Sequence, residues 1–363
     1  MTGPSREKEK KERSHVNRSG FREQRDLLIV ILSFGISLFL GALFILLYGA
    51  DPIDAYAGML RGALGDRDAL IATLARAVPI VLSTMSIAVA FNGGIWNIGA
   101  EGQLFLGAFA AAWVGIDLKF LPGYVLILLG LAAAIGVAMF WAWIPARLSL
   151  DRGINIVVLT IMLNSIAILF TTWLATGPYA GARANAGTTD RIVESMRLPH
   201  FGAFGTLNWG VFAAVAAVAA VAVMMTATVA GYEWRCCRLN PIFARYGGID
   251  VPARKMQAML LSGSLAGLAG ALLVMGDHYR FMTTISAGYT WTGMILAMMV
   301  ANAPAAGIAA AIVYAVMSSG ALEMELATGV PTELVSLIVC CAVLFVTAGI
   351  AVADRLANRI RED

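Results

Sequence analysis

The sequence predicts an all-α polytopic membrane protein of about ten transmembrane helices, with one helix interrupted near 92–103 and both termini cytoplasmic. Three observations carry this. Hydrophobic residues make up 59% of the 363 residues and charged ones 13%, against about 45–50% and about 25% in soluble domains. Mean hydropathy is +0.78. Apolar runs of roughly the 20 residues that a bilayer crossing needs recur along nearly the whole chain. This composition excludes a soluble enzyme, a disordered chain and a nucleic-acid binder.

The elements follow in order. Residues 1–26 hold eight Lys or Arg and five Asp or Glu with no apolar period. They read as a charged cytoplasmic tail, expected to be disordered. Leu27 to Leu47 is the first span. The basic residues ahead of it place the N-terminus in the cytoplasm. Further spans are expected at about 69–91, 103–117, 123–145, 154–175, 208–230, 256–276, 287–303, 304–321 and 333–351. The third and eighth are short for a full crossing.

Charge supports this arrangement. Arg147 and Arg152, the cluster Arg235, Arg238, Arg245, Arg254 and Lys255, and the tail residues Arg355, Arg359 and Arg361 all fall on one side. Asp51, Asp54, Asp66, Asp68, Glu323 and Glu325 fall on the other. Basic loops face the cytoplasm. The membrane domain is thus 27–351, followed by a cytoplasmic tail, 352–363. Two connections are long: an outer loop, 177–207, and a basic inner loop, 231–255. In compact bundles such loops are commonly functional. Within the outer loop, Arg191–Arg197 reads as a short amphipathic surface helix.

The sharpest feature is the stretch Asn92 to Gln103. It sets Asn92, Asn97, Glu101 and Gln103 beside Gly93, Gly94, Gly99 and Gly102, between two apolar runs. Glycines weaken a helix, and irregular backbone at membrane depth persists only inside protein or along a cavity. Intramembrane carboxylates are costly and face the bundle interior. The stretch therefore reads as a broken helix on a translocation path, with Trp96, Asn97, Glu101 and Gln103 as candidate lining. A cytosolic turn carrying a surface Glu is the alternative. Thr160 and Asn164 share a helix face, and Asn155 lies nearly a turn and a half earlier. These amides either glue helices or line the path.

Other motifs read as packing. Gly263 and Gly267 have GxxxG spacing, which permits close helix approach. Met294, Met298 and Met299 read the same way. Cys236–Cys237 and Cys340–Cys341 lack C-x-x-C spacing. His15, His200 and His278 are scattered without ligand spacing, so no metal site is expected. No G-x-x-x-x-G-K-[ST] phosphate loop occurs, so any ATP-driven work needs another subunit.

On Gly94 to Gln103 the sequence resembles the permease subunits of bacterial ATP-binding cassette importers for nucleosides and simple sugars, which group with the branched-chain amino acid and ribose permeases. The resemblance extends over Gly153–Asn164, over Arg235–Ile249 with Asn240-Pro241, over Gly288–Gly307 and over Gly329-Val330-Pro331, about residues 60–350 in all. It implies a transport subunit rather than an enzyme, in the bacterial inner membrane. It implies two ATPase subunits holding ATP-Mg, a second and distinct permease, and a periplasmic or lipid-anchored binding protein, with lipid around the spans and no nucleic acid. No cofactor would sit on this chain. It also implies that Arg235, Asn240, Pro241, Arg245, Tyr246 and Gly248 couple ATPase motion to the bundle. Ile156 and Ser165 stand where relatives often carry Glu and Tyr, and Cys236, Cys237 and Arg238 replace small residues. Two other readings remain: a secondary transporter or channel that uses Glu101 as proton or ion site, and a structural subunit of an energy-converting complex. No internal Lys or Arg pairs with Glu101, and the several intramembrane Lys, Glu and His of energy-converting complexes are missing.

Overall fold

A computed structural model describes residue 29 and residues 31–181, 187–201 and 207–362. The charged tail expected at 1–26 lies outside the described residues, as does Arg183 of the outer loop. Among the described residues every regular element is helical, and only isolated β-bridges occur, such as Ala180 with Thr189.

The helices are α1 (Ile31–Leu47), α2 (Pro52–Leu64), α3 (Arg67–Asn92), α4 (Ala100–Asp117), α5 (Gly123–Arg152), α6 (Ile156–Thr176), α7 (Gly210–Ala227), α8 (Val229–Leu239), α9 (Pro241–Tyr246), α10 (Val251–Leu272), α11 (Tyr289–Met299), α12 (Pro304–Thr328) and α13 (Glu333–Glu362). Six described helices are long and apolar enough to cross a bilayer, or seven if α1 and α2, bent by 115°, form one broken span. That is fewer than the ten spans expected from hydropathy. α4 carries Glu101 and Gln103 in its first turn, and α11 has only 11 residues. Both are too polar or too short to qualify by themselves. α2 falls where the sequence suggested only an acidic connection. Its polar first turn, with Asp54, hides it from a hydropathy window.

The described residues form two compact units. One holds the residues up to Ala57 and those from Met324 on. Within it, the Tyr56 hydroxyl donates to the Leu38 carbonyl at 2.6 Å, and Ile338 packs where a side chain on Gly41 would lie.

The other unit, Gly58–Glu323, contains the main core. In α3 the most apolar stretch is 72% buried, and in α10, continued to His278, 83%. The corresponding figures for α5, α6 and α7 are 28%, 22% and 28%. The first two are therefore central, and the others present one stripe inward. On α5 the stripe is Leu126, Gly130, Ala134, Ala138 and Ala142, every fourth residue, the spacing that lines one helix face. Large apolar side chains such as Leu128, Phe140, Leu169 and Phe212 stay exposed on the outer faces, as lipid contact requires.

Small residues set the central spacing. A Cβ on Gly267 would lie 2.5 Å from the Ala134 carbonyl oxygen and 2.5 Å from the Ala138 Cβ. Here α5 and α10 touch backbone to backbone, as the GxxxG reading anticipates. α10 runs on through a π-helical turn, Leu273–His278, to Tyr279 in the left-handed region at φ 56°. The Arg191–Arg197 segment contains one 3-10 turn, Glu194–Met196, instead of the surface helix expected. Its neighbours are extended because Ile192 and Leu198 donate backbone hydrogen bonds to Tyr279 and Met275.

Candidate functional site

The break between α3 and α4 begins at two glycines. Gly93 and Ile95 donate back to the Val89 and Ala90 carbonyls at 3.0 and 3.1 Å, closing α3. Gly94 takes φ +72°, a conformation that L side chains rarely adopt, and its Cα faces the backbone of Arg238 in α8. Residues 95–99 are not helical, and α4 starts at Ala100.

A new helix start leaves backbone N–H groups without intrahelical partners. Gly99 offers no side-chain cap. Asn164, from α6, supplies one: its Oδ1 accepts from the Gly102 amide. Its Nδ2 donates to the Ile98 carbonyl at 3.3 Å. A buried amide from a distant helix thus caps α4.

Asn97 and Gln103 pair across the same turn. Asn97 Nδ2 donates to Gln103 Oε1 at 2.8 Å, and Gln103 Nε2 donates to Asn97 Oδ1 at 3.1 Å. Asn97 Nδ2 also donates to Ser262 Oγ of α10 at 2.8 Å. Ser86 of α3 continues the chain, donating to the Ser262 carbonyl at 2.7 Å. Glu101, also in the first turn of α4, accepts from the Thr290 hydroxyl of α11. Asn97, Glu101, Gln103 and Asn164 are all at least nine-tenths buried. Buried polar groups of this kind are costly unless hydrogen-bonded, and here each has a partner.

The structure therefore brings four of the six candidate path residues together. The other two lie apart from the network. Trp96 is 47% exposed and packs on Phe91 with ring centroids 4.6 Å apart. Asn155 is an exposed N-cap, its Oδ1 accepting from the Val157 amide at 2.9 Å. This local use is the common one for Asn at a helix start. Sequence reasoning missed Ser86, Ser262 and Thr290. Hydroxyls inside apolar runs usually bond their own helix, as Thr171 does to Ala167 at 2.9 Å, so these three carried no distinguishing signal.

The inner segment folds as two helices. Asn240 ends α8 by donating to the Cys236 carbonyl at 3.0 Å, and its Oδ1 caps α9 by accepting from Ile242 and Phe243 at 3.1 and 3.0 Å. Pro241 fills the first position of α9, where its missing N–H costs nothing. Gly248, at φ +81°, closes the helix by donating to the Arg245 carbonyl at 3.0 Å. Arg235 donates to the Met225 carbonyl at the end of α7. Arg245 and Tyr246 are exposed, beside exposed Leu239, Ile242 and Phe243. These apolar side chains lie beside two exposed cations, Arg238 and Arg245. α8 is anchored from beneath: fully buried Trp234 donates to the Arg254 carbonyl at 3.1 Å, and Glu233 pairs with Arg254. Burial pushes the Cys237 thiol above the ordinary cysteine range.

The family described as branched-chain amino acid transport system / permease component matches residues 69–348. The chain is similar to the glucose ABC transporter permease protein TsgB13 of Haloferax volcanii, with 31% identity over 87% of this chain and 85% of that one. It is similar to the guanosine ABC transporter permease protein NupP of Bacillus subtilis, with 29% identity over 90% and 94% of the two chains. It is also similar to the nucleoside ABC transporter permease protein NupB of Lactococcus lactis, with 28% identity over 89% and 91%.

Proposed function

The chain belongs to the family of branched-chain amino acid transport permease components, and on that premise we propose that it forms part of the import path for a nucleoside or a simple sugar. It is a multi-pass permease subunit of an ATP-binding cassette importer. The nucleoside and sugar classes are those named for its relatives. The observation that carries the reading is the buried amide and carboxylate cluster of Asn97, Gln103, Asn164 and Glu101 at the α3–α4 break. Its groups are satisfied within the protein here, so a passing solute would exchange with these hydrogen bonds, which suits a neutral solute rich in donors and acceptors. Selectivity would then rest with a periplasmic or lipid-anchored binding protein.

The same reading gives the chain ten spans with both ends in the cytoplasm of a bacterial inner membrane. The inner basic clusters support it. ATP-Mg would be held by two partner ATPase subunits, with α9 and the exposed Arg245 and Tyr246 fitting a groove on one of them. Bacillus subtilis supplies two guanosine permease relatives, NupP and NupQ, the second 24% identical over 55% of this chain. That pair supports a second, distinct permease facing this one.

The test is co-purification from native membranes, with uridine, adenosine and glucose uptake measured with and without ATP depletion. A co-purifying ATPase and uptake that stops on ATP depletion are expected. Uptake that survives ATP depletion and collapses only with the proton gradient would make Glu101 a coupling carboxylate and overturn the reading.

A further inference from the structure

Three residues on one face of α4 are covered by a single short segment. Glu101, Phe105 and Phe109 follow at intervals of four, which places them on one side of the helix. The Thr290 hydroxyl donates to Glu101. Phe281 meets both rings edge-on, with centroids 6.1 Å from Phe105 and 5.4 Å from Phe109. The chain from Phe281 to Thr290 therefore runs along this face, from the carboxylate to about two turns beyond it. It is not helical before Tyr289, yet Phe281, Ile285 and Ser286 are each exposed by 2% or less.

Both ends of this segment are jointed. At one end α10 passes into its π-helical turn and then Tyr279 at φ 56°. At the other, Ala287 and Gly288 take φ 43° and 78° before α11 begins. π-Helical turns gather at functional sites, and non-glycine residues at positive φ persist only where their surroundings fix them. Here the surroundings are the outer loop. Thr189 donates to the Phe281 carbonyl and Ile192 to the Tyr279 carbonyl, at 3.0 and 2.8 Å, and Thr283 donates to the Gly187 carbonyl at 3.0 Å. Arg197 lies over the Tyr279 ring at 5.0 Å, and His200 is 3.1 Å from its hydroxyl. The loop is itself fixed to α4 and α5. Met196, fully buried, occupies the space that side chains on Gly115 and Gly130 would take. A segment that clears α4 must therefore part from the loop as well.

We propose that residues 280–288 are the outer gate of the import path and that Phe281 is the side chain that closes it. Opening moves Phe281 off Phe105 and Phe109, turns the chain at Tyr279 and at Ala287-Gly288, and breaks the hydrogen bonds to the loop. Closing restores them and covers Glu101. The proposal rests on the import reading and the sidedness given above, and adds the element that shuts the path from outside.

The experiment uses the complete importer reconstituted in vesicles, with ATP-driven uptake of uridine, adenosine and glucose. Thr188 and Met282 oppose each other in an antiparallel bridge, flanked by the Thr189–Phe281 and Thr283–Gly187 hydrogen bonds. Residues opposed in this way have Cα atoms about 4.5 Å apart, within reach of a disulfide. Oxidation of Thr188→Cys/Met282→Cys should abolish uptake of whichever solute the wild type carries, and reduction should restore it in the same molecules. A merely structural role would not give that reversal. Full uptake by the cross-linked protein would overturn the gate and leave the import reading intact. A second readout needs no solute. Ser286→Cys, buried beneath the segment, should react with a membrane-impermeant maleimide on the outer face severalfold faster during ATP hydrolysis than without ATP. A rate independent of ATP would overturn the gate even if the paired variant does not fold. Absence of ATP-driven uptake of any of the three solutes by the wild type would count against the import reading instead.

Discussion

Asn97 and Gln103 face each other amide to amide, each donating to the other, at 2.8 and 3.1 Å. The pair spans the start of α4, so the non-helical residues 97–99 and the first turn of the helix are locked in one geometry. Removing one amide leaves the other buried without its partner, a loss of about 1–3 kcal/mol. Asn97→Leu and Gln103→Leu should each lower the melting temperature of the purified protein. The double variant should lose less than the sum, since partners in one network are not additive. Additive losses in a double-mutant cycle would show that the two amides do not act as a pair.

Glu101 is held by the Thr290 hydroxyl. A Gln at this position still accepts that hydrogen bond, and an Ala does not. Glu101→Ala should abolish ATP-dependent uptake while the folded protein still reaches the membrane. Glu101→Gln should retain much of the uptake. Equal loss in both would assign the role to the charge itself, and normal transport by Glu101→Ala would remove the residue from the path.

Gly267 and Gly136 make a matched pair of tests. A Cβ added at Gly267 would meet the Ala134 carbonyl oxygen and the Ala138 Cβ, each at 2.5 Å, whereas one added at Gly136 would meet nothing within 4 Å. Gly267→Leu should cost several kcal/mol or prevent folding, because overpacking a tight contact forces backbone shifts of about 1–3 kcal/mol or more. Gly136→Ala should stabilise α5 by about 1 kcal/mol through helix propensity. Thermal unfolding in detergent distinguishes them.

Asn240 and Arg245 test the inner segment separately. Asn240→Ala removes the α9 cap, a loss of about 1 kcal/mol, and should loosen the segment measurably by hydrogen exchange at Ile242 and Phe243. Arg245→Glu keeps the fold, since the side chain is exposed. It should leave ATP hydrolysis running without transport. Tight coupling in Arg245→Glu would mean that α9 does not transmit the ATPase stroke.

Cys237 is buried, and burial raises its thiol pKa. The thiolate is the reactive form, so at pH 8 less of it is available than in a free cysteine. Mass-mapped alkylation should reach Cys236, which is partly exposed, before Cys237. The Cys237 rate should keep rising as pH increases beyond the usual thiol range. Equal rates at the two positions would contradict the burial.

The break at 93–99 was legible because four glycines and four polar side chains interrupt an apolar run, a local signal. The start of α9 also carries a local signal, since Asn240 is a cap residue followed by a helix-starting proline. The partners of the site were not. Thr290 lies 189 residues from Glu101 and Ser262 lies 165 from Asn97, and no local pattern records such separations. Asn155 caps α6, and an amide before an apolar run reads equally as lining or as cap, so the sequence alone does not separate the two. α2 was missed because hydropathy windows average its polar first turn with its apolar remainder, and α5 outran its expected end because Pro145 sits inside the helix without stopping it.

The cap that Asn164 places on α4 has a mechanical consequence. α4 and α6 are joined there: a shift of α6 by one residue would pull the amide away from Gly102 and leave a buried helix start without its cap. A movement that separated α4 from α6 would have to give up this cap, so the hydrogen bonds of Asn164 favour the two helices moving together.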